Sequence, residues 1–223
     1  MVDAKSPFTY RHSMGVMQVA CAIAEELGLS ASICNDIRRA ALLHDVGKLA
    51  VSNAILDKCG KLSEAEWASV RQHPMISGEI LRRVPTFEQV ALLAEQHHER
   101  LDGSGYPHRR RSSELTLEAR VIALADCYAA MAEERPYRAA MPMEQVLDIL
   151  AEDVPAKLDP VCFFALKRAA QGWSGAFPGR VDIPEISDDA FSYTVEEDSS
   201  PALQETPSDA THVHPDYLMS RQF

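Results

Sequence analysis

The chain has 223 residues, 46% apolar and 7% aromatic, enough for one domain with a core plus a tail, or for two very small domains. Its 22 Lys and Arg against 33 Asp and Glu give a net charge of −11, which argues against a protein that coats nucleic acid, because phosphate binding calls for a basic surface. No stretch approaches the ~18 apolar residues of a membrane span, the N-terminus lacks the apolar core of a signal peptide, and five cysteines without a CxxC pair fit a reduced cytoplasm rather than a disulfide framework or structural zinc.

Helical periodicity starts at once. His12, Val16, Val19, Ile23 and Leu27 recur every three or four residues, and Gly28 follows as a stop. Ser30 opens the next helix, whose apolar positions Ile33, Ile37, Ala40, Ala41 and Leu43 lead into His44-Asp45. Ser63 and Glu66 form a capping box ahead of Trp67 and Val70, and Thr86 and Gln89 have the same spacing ahead of Val90, Leu93 and His97. A further helix covers roughly Glu118 to Met131 and brings in Asp126. Pro142 and Pro160 stand where the first turns of two more helices tolerate proline. No run alternates with period two for long enough to demand a strand, so residues 1–174 are predicted to form an all-α domain of about seven helices.

Composition changes near Gly172. Residues 175–223 hold ten acidic and two basic residues and five of the thirteen prolines, a net −8 that leaves only −3 for residues 1–174. Such a segment buries too little apolar surface to offset its ordering entropy, and is read as a flexible acidic tail. Phe191, Tyr193 and Tyr217 are the alternative, as short docking anchors.

Five of eight histidines (His12, His44, His73, His97 and His98) fall in or at the end of predicted helices, and two stand in doublets, His44-Asp45 and His97-His98. A lone helical histidine is ordinarily a satisfied core or surface residue. Adjacent helical residues point about 100° apart, so a doublet serves metals when a helix end faces a shared cavity. Four helices each delivering His or Asp inward is how helical bundles build metal sites.

The series His12, His44-Asp45-Val46-Gly47-Lys48, His73, His97-His98-Glu99-Arg100-Leu101-Asp102-Gly103-Ser104-Gly105-Tyr106-Pro107, Asp126 and Arg135-Pro136-Tyr137-Arg138 resembles the HD-GYP family of HD-domain phosphohydrolases, from about Ser6 to Ala170. The resemblance implies an HD-domain-like helical bundle that cleaves cyclic di-GMP in the cytoplasm. By position, His12, His44, Asp45 and Asp126 fall on the ligands of one metal and His73, His97 and His98 on those of a second, with Asp45 bridging. Iron or manganese is the pair the family implies; mixed imidazole–carboxylate ligation suits these, or zinc, better than magnesium. Two cations ~3.5–4 Å apart share a hydroxide and clamp a phosphate for in-line attack.

Lys48 matches the family's lysine that reaches the scissile phosphate, a place where a cation stabilises charge on phosphoryl oxygens. Arg135 and Arg138 match basic residues that hold phosphate or guanine, to which a planar guanidinium is suited. The alternatives are a surface lysine for Lys48, which would be favoured if it stood alone, and helix-end charge for Arg135 and Arg138. Tyr106 lies in a loop with two glycines and an exit proline, and the family assigns that loop to the catalytic cavity and to contacts with GGDEF-domain cyclases. A rigid turn bracing the helix end of His97-His98 is the alternative.

The sequence departs from the family pattern in three places. Phe8 stands where trinuclear members carry a glutamate one turn before the first histidine, so two metals are expected rather than three. Ala129 replaces an aspartate three residues after Asp126, a change that lowers affinity or rate without removing a ligand. His108-Arg109-Arg110-Arg111 replaces the usual Gly and Leu, and is read as a solvated basic bump, with attraction of substrate or of the acidic tail as alternatives. No sensory domain precedes the first ligand helix in this sequence, so regulation is expected from a partner, oligomerisation, metal redox state or the tail.

The expected function is hydrolysis of cyclic di-GMP to linear pGpG, with GMP left open as the end product, with Asp45 and Lys48 as catalytic residues, and Lys48, Arg135, Arg138 and Tyr106 on the substrate. The expected partners are the cyclic dinucleotide, GGDEF-domain proteins and a second copy in a homodimer; no membrane and no nucleic-acid polymer are expected. Two alternatives remain at this point, a weakly active cyclic di-GMP-responsive binding module and an HD phosphohydrolase for another nucleotide.

Overall fold

In the computed structural model, which describes residues 7–58, 60–134 and 139–173, the periodic positions Val16, Val19, Ala20 and Ile23 are fully buried along α1 (Pro7–Glu26). Gly28 ends this helix at φ +66°, and the N–H groups of Gly28 and Leu29 cap the carbonyls of Glu25 and Ala24. Ser30 caps α2 (Ala31–Leu43) by accepting from the Ile33 N–H. A 3-10 turn over Val46–Ala50 and the single turn α3 (Asn53–Leu56) lead to α4 (Glu64–Val70), where the Ser63–Glu66 capping box forms as expected. Then come α5 (His73–Leu81), α6 (Glu88–Gln96), α7 (Leu117–Ala132), α8 (Met143–Glu152) and α9 (Pro160–Gln171).

The described residues thus hold nine α-helical segments rather than about seven, and no strand. The additions are α3 and α5. The expected Thr86–Gln89 box does not form: Pro85 starts a 3-10 turn over Pro85–Phe87 that runs straight into α6, which places Thr86 inside the turn and Phe87 at the cap position. At α9 the expectation holds, with Pro160 as the first residue and Asp159 accepting from the Val161 and Cys162 N–H groups. Pro142 precedes α8 rather than entering it.

The central element is α7, buried on every side from Val121 to Ala132. Alanines at 123, 125, 129, 130 and 132 let its neighbours approach closely, while Ile122 and Leu124 each contribute the ~1.5–3 kcal/mol of a fully buried aliphatic side chain. Against α7 pack α1, α2, α6, α8 and α9, with α5 held on the far side of α6. No helix among the described residues is long and apolar enough to cross a membrane. The side chain of Phe8, residues Arg135 and Arg138, and the predicted tail at 175–223 lie outside the described residues.

Candidate metal centre

Three of the helices end at one place. His44 follows the last residue of α2, His73 comes three residues after the end of α4, and His97 follows the last residue of α6. The last turn of a helix leaves its carbonyls without a helical partner, and each of these imidazoles uses one of them: Nδ1–H of His44 donates to the Ala41 carbonyl at 2.7 Å, that of His73 to Val70 at 2.8 Å, and that of His97 to Ala94 at 2.7 Å. A carbonyl only accepts, so the proton must sit on Nδ1 and the Nε2 lone pair of each ring is left facing inward.

What they face is a pair of buried carboxylates. His73 Nε2 lies 3.2 Å from Asp45 Oδ1, His44 Nε2 3.2 Å from Asp45 Oδ2, and His97 Nε2 3.9 Å from Asp45 Oδ1. His12 on α1 places Nε2 3.0 Å from Asp126 Oδ1 on α7, and His98 places Nδ1 3.6 Å from Asp126 Oδ2. All seven residues are at most 6% exposed. Their donor atoms gather into three sets, each within 4.8 Å: His12, His44 and Asp126; His73, His97 and His98; and His44, Asp45 and His97. The first two sets fall within the two ligand groups implied by the sequence resemblance, and Asp45 lies between them.

The electrostatics divide the cluster cleanly. Burial would raise the Asp45 and Asp126 carboxyls, but His44 and then Lys48 at Asp45, and the bond from His12 at Asp126, hold both well below the usual carboxylate range. Burial lowers His73, His97 and His98, which keeps them neutral, the form that ligates. His12 is the exception: burial lowers it, yet the Glu133 and Asp126 carboxylates outweigh that and raise it to about 9.

The donor set fits divalent cations. Two imidazoles with Nδ1 protonated bring the lone pairs of His73 Nε2 and His97 Nε2 within 3.3 Å of each other, a repulsive contact that positive charge between them would relieve. Asp45 Oδ1, Asp126 Oδ2 and His44 Nε2 are shut off from solvent without a hydrogen bond, an arrangement that costs about 1–3 kcal/mol per group unless something binds them.

The local backbone is shaped for this convergence. Gly47 lets the turn after Asp45 lie against α5; a Cβ there would stand 2.0 Å from the His73 carbonyl oxygen. Ser77, one turn after His73, fastens the two segments, donating to the His44 carbonyl at 2.6 Å and accepting from the Gly47 N–H at 2.8 Å. Lys48 reaches back one turn to donate to Asp45 Oδ2 at 2.7 Å.

The Tyr106 loop both braces and lines the cluster. Gly105 crosses over the backbone of His98, Glu99 and Arg100 so closely that a Cβ would meet all three at 2.5 Å. The buried Glu99 carboxylate accepts from the N–H groups of His108 and Arg110, at 2.8 and 2.9 Å. The Tyr106 ring packs on His98 with centroids 4.7 Å apart, and the Arg71 guanidinium lies over the ring, 5.7 Å from its centre. Of the expected basic bump, His108, Arg109 and Arg111 are exposed; His108 Nε2 pairs with Glu95 at 2.5 Å, and Glu95 also pairs with Arg82. Ala129 is fully buried one turn after Asp126.

Sequence reasoning missed Glu133, Ser77 and the role of Glu99. A signal existed for the first two: Glu133 is two turns after Asp126, and Ser77 one turn after His73.

The sequence model of the HD domain family matches residues 1–161. The chain is 49% identical over 169 residues to 3′3′-cGAMP-specific phosphodiesterase 3 of Vibrio cholerae, covering 76% of this chain and 37% of that protein. It is 43% identical over 152 residues to the cyclic di-GMP phosphodiesterase response regulator RpfG of Xanthomonas campestris, covering 67% and 40%. The crystal structure of a V. cholerae cyclic GMP-AMP-specific phosphodiesterase superposes with a TM-score of 0.50 at 43% identity, over 77% of this chain and 39% of that one. The chain spans about two fifths of the length of these relatives.

Proposed function

The chain belongs to the HD domain family, in its HD-GYP branch, and on that premise we propose that it hydrolyses a phosphodiester bond of a cyclic dinucleotide, cyclic di-GMP to linear pGpG and on to GMP, at a two-metal centre. The observation that carries this reading is the set of three imidazoles whose Nδ1 protons are engaged by their own helices and whose Nε2 atoms converge on Asp45.

In this proposal His12, His44, Asp45 and Asp126 would hold one divalent ion and His73, His97 and His98 the other, with Asp45 within reach of both groups. Two such ions, iron or manganese, supply Lewis acidity toward the phosphate and lower the pKa of water. The chain does the remaining work. Lys48, already on Asp45, is placed to share its charge with a phosphoryl oxygen. Burial of the cluster excludes bulk water and strengthens every charge within it. Tyr106, packed on His98, is assigned to the substrate rather than to a GGDEF-domain partner; its phenol is held protonated because burial pushes its pKa well up. Arg135 and Arg138 are assigned to phosphate or guanine by their sequence positions.

The 49%-identical relative is named for 3′3′-cGAMP, so that nucleotide is the second candidate substrate. The test is the purified chain with Fe(II) or Mn(II), given cyclic di-GMP and 3′3′-cGAMP in parallel, with products resolved by chromatography. Linear dinucleotide from cyclic di-GMP supports the proposal, and preference for 3′3′-cGAMP moves the substrate assignment. Loss of turnover and of bound metal is expected for Asp45→Ala. No hydrolysis of either nucleotide by metal-loaded protein overturns the reading.

A further inference from the structure

His12 differs from the other ligand histidines in where it sits. It is the sixth residue of α1, well inside the helix, where the carbonyls of the preceding turn are taken by the helical ladder. The end-of-helix carbonyls that fix the rings of His44, His73 and His97 have no counterpart there. Its acceptor comes from another helix: Glu133 Oε2 lies 3.2 Å from His12 Nδ1, opposite Asp126 Oδ1 at 3.0 Å from Nε2. Glu133 caps the C-terminus of α7, seven residues after Asp126, so one helix grips both edges of the ring. The Glu133 side chain is 13% exposed and that of His12 8%.

We propose that Glu133 is a positioning residue for the metal centre: by accepting from His12 Nδ1–H it fixes which nitrogen presents its lone pair to the cluster and holds the ring at the angle that ligation needs. A carboxylate behind a ligating imidazole sets tautomer and orientation and makes the imidazole a stronger donor. Nothing in the motifs that identify the family in this sequence marks Glu133; the assignment comes from the 3.2 Å contact and from the interior position of His12. It rests on the reading of the cluster as a metal centre.

The experiment compares the full wild-type chain with Glu133→Ala and Glu133→Gln. Each is titrated with Mn(II), metal per chain is measured after dialysis, unfolding of the metal-free protein is recorded, and hydrolysis is assayed with the metal dissociation constants in hand. Glu133→Ala is expected to weaken one of two Mn(II) sites by about 10–100-fold, the usual effect of losing such a partner, and to leave the other site unchanged. Glu133→Gln, which keeps a neutral acceptor for Nδ1–H, is expected to retain both ions within several-fold of wild type. Rescue by Gln separates positioning from folding, since a residue needed only for stability would lower the melting temperature without weakening one site selectively. Two ions held by Glu133→Ala at wild-type affinity overturn the proposal, as does equal loss in the Ala and Gln variants, which would make Glu133 a charge or a ligand rather than an acceptor. Metal binding without hydrolysis in the wild type overturns the proposed function and leaves Glu133 its role; a wild type that binds no Mn(II) overturns both.

Discussion

Ser77→Ala removes one oxygen from the molecule and with it both hydrogen bonds that tie α5 to the turn after α2. The Ser77 hydroxyl donates to the His44 carbonyl at 2.6 Å and accepts from the Gly47 N–H at 2.8 Å, and Ser77, His44 and Gly47 are all buried. Deleting the hydroxyl leaves a buried donor and a buried acceptor unmade, and each such group costs about 1–3 kcal/mol. Water cannot easily replace it, because Gly47 is pressed so tightly to α5 that even a methyl group would clash with the His73 carbonyl. The smaller end of the range applies if the turn relaxes, giving a total of about 2–4 kcal/mol, or roughly 4–16 °C in melting temperature for a domain of this size. Because the turn carries His44 and Asp45 while Ser77 shares α5 with His73, the loss also lets the two ligand segments drift. A misplacement of ~1 Å at reacting groups is worth up to about 100-fold in rate. The assay is thermal unfolding of the metal-free chain, followed by turnover under loaded conditions at a temperature where the variant is folded. A melting temperature within 2 °C of wild type, estimated against that ~4 °C floor, together with unchanged turnover, would show that the hydroxyl does not tie the segments together.

Gly105→Ala forces a methyl group to within 2.5 Å of three backbone atoms; overpacking of this kind costs about 1–3 kcal/mol or more, and a variant with wild-type melting temperature and activity would contradict the close crossing. Metal analysis of the loaded chain is expected to give two ions, since Phe8 offers no donor in α1 one turn before His12; a reproducible three per chain would refute the count. Glu66, drawn down from 4.5 to about 2 chiefly by its bond from Lys58 and then by the Ser63 N–H, stabilises the start of α4 above its unfolded pKa and loses that contribution as pH falls from about 4.5 toward 2. The difference in melting temperature between wild type and Glu66→Gln is therefore expected to shrink over that interval, and a constant difference would count against the Lys58 and Ser63 bonds to the charged carboxylate.

The parts of the site that sequence made legible are those whose chemistry is unusual for their location. Histidine doublets at the ends of apolar helical runs have few structural uses, and His44-Asp45 and His97-His98 do end α2 and α6. Residues with ordinary alternatives stayed hidden. A serine in a helix is commonly solvated, so Ser77 carried no mark, and its function depends on how closely Gly47 packs, which only the fold determines. Glu99 stands in the motif that suggested the family, but its task, gathering the N–H groups of residues nine and eleven positions later, depends on the path of a loop. Glu133 shares a helical face with Asp126, yet it matters because α1 brings His12 beside it across 121 positions of sequence. The missed start of α5 has a similar cause: Val70, His73 and Ser77 continue the spacing of α4, which disguises the break.

Pro74 separates α4 from α5 and links helix termination to ligand geometry. In a continuous helix the N–H of residue 74 would bond the carbonyl of residue 70. Proline has no N–H and its ring clashes with that carbonyl, so α4 and α5 cannot fuse. The Val70 carbonyl is thereby left for the His73 imidazole, which donates to it at 2.8 Å and turns Nε2 toward Asp45. At His44 and His97 the same exchange occurs where α2 and α6 stop, with Ala41 and Ala94 as acceptors. Each interruption supplies a tautomer that turns Nε2 inward, and at His44 and His97 it adds the negative end of a helix dipole; both favour a cation. His12 lies where no helix ends and receives neither, so a carboxylate from α7 takes the place of both.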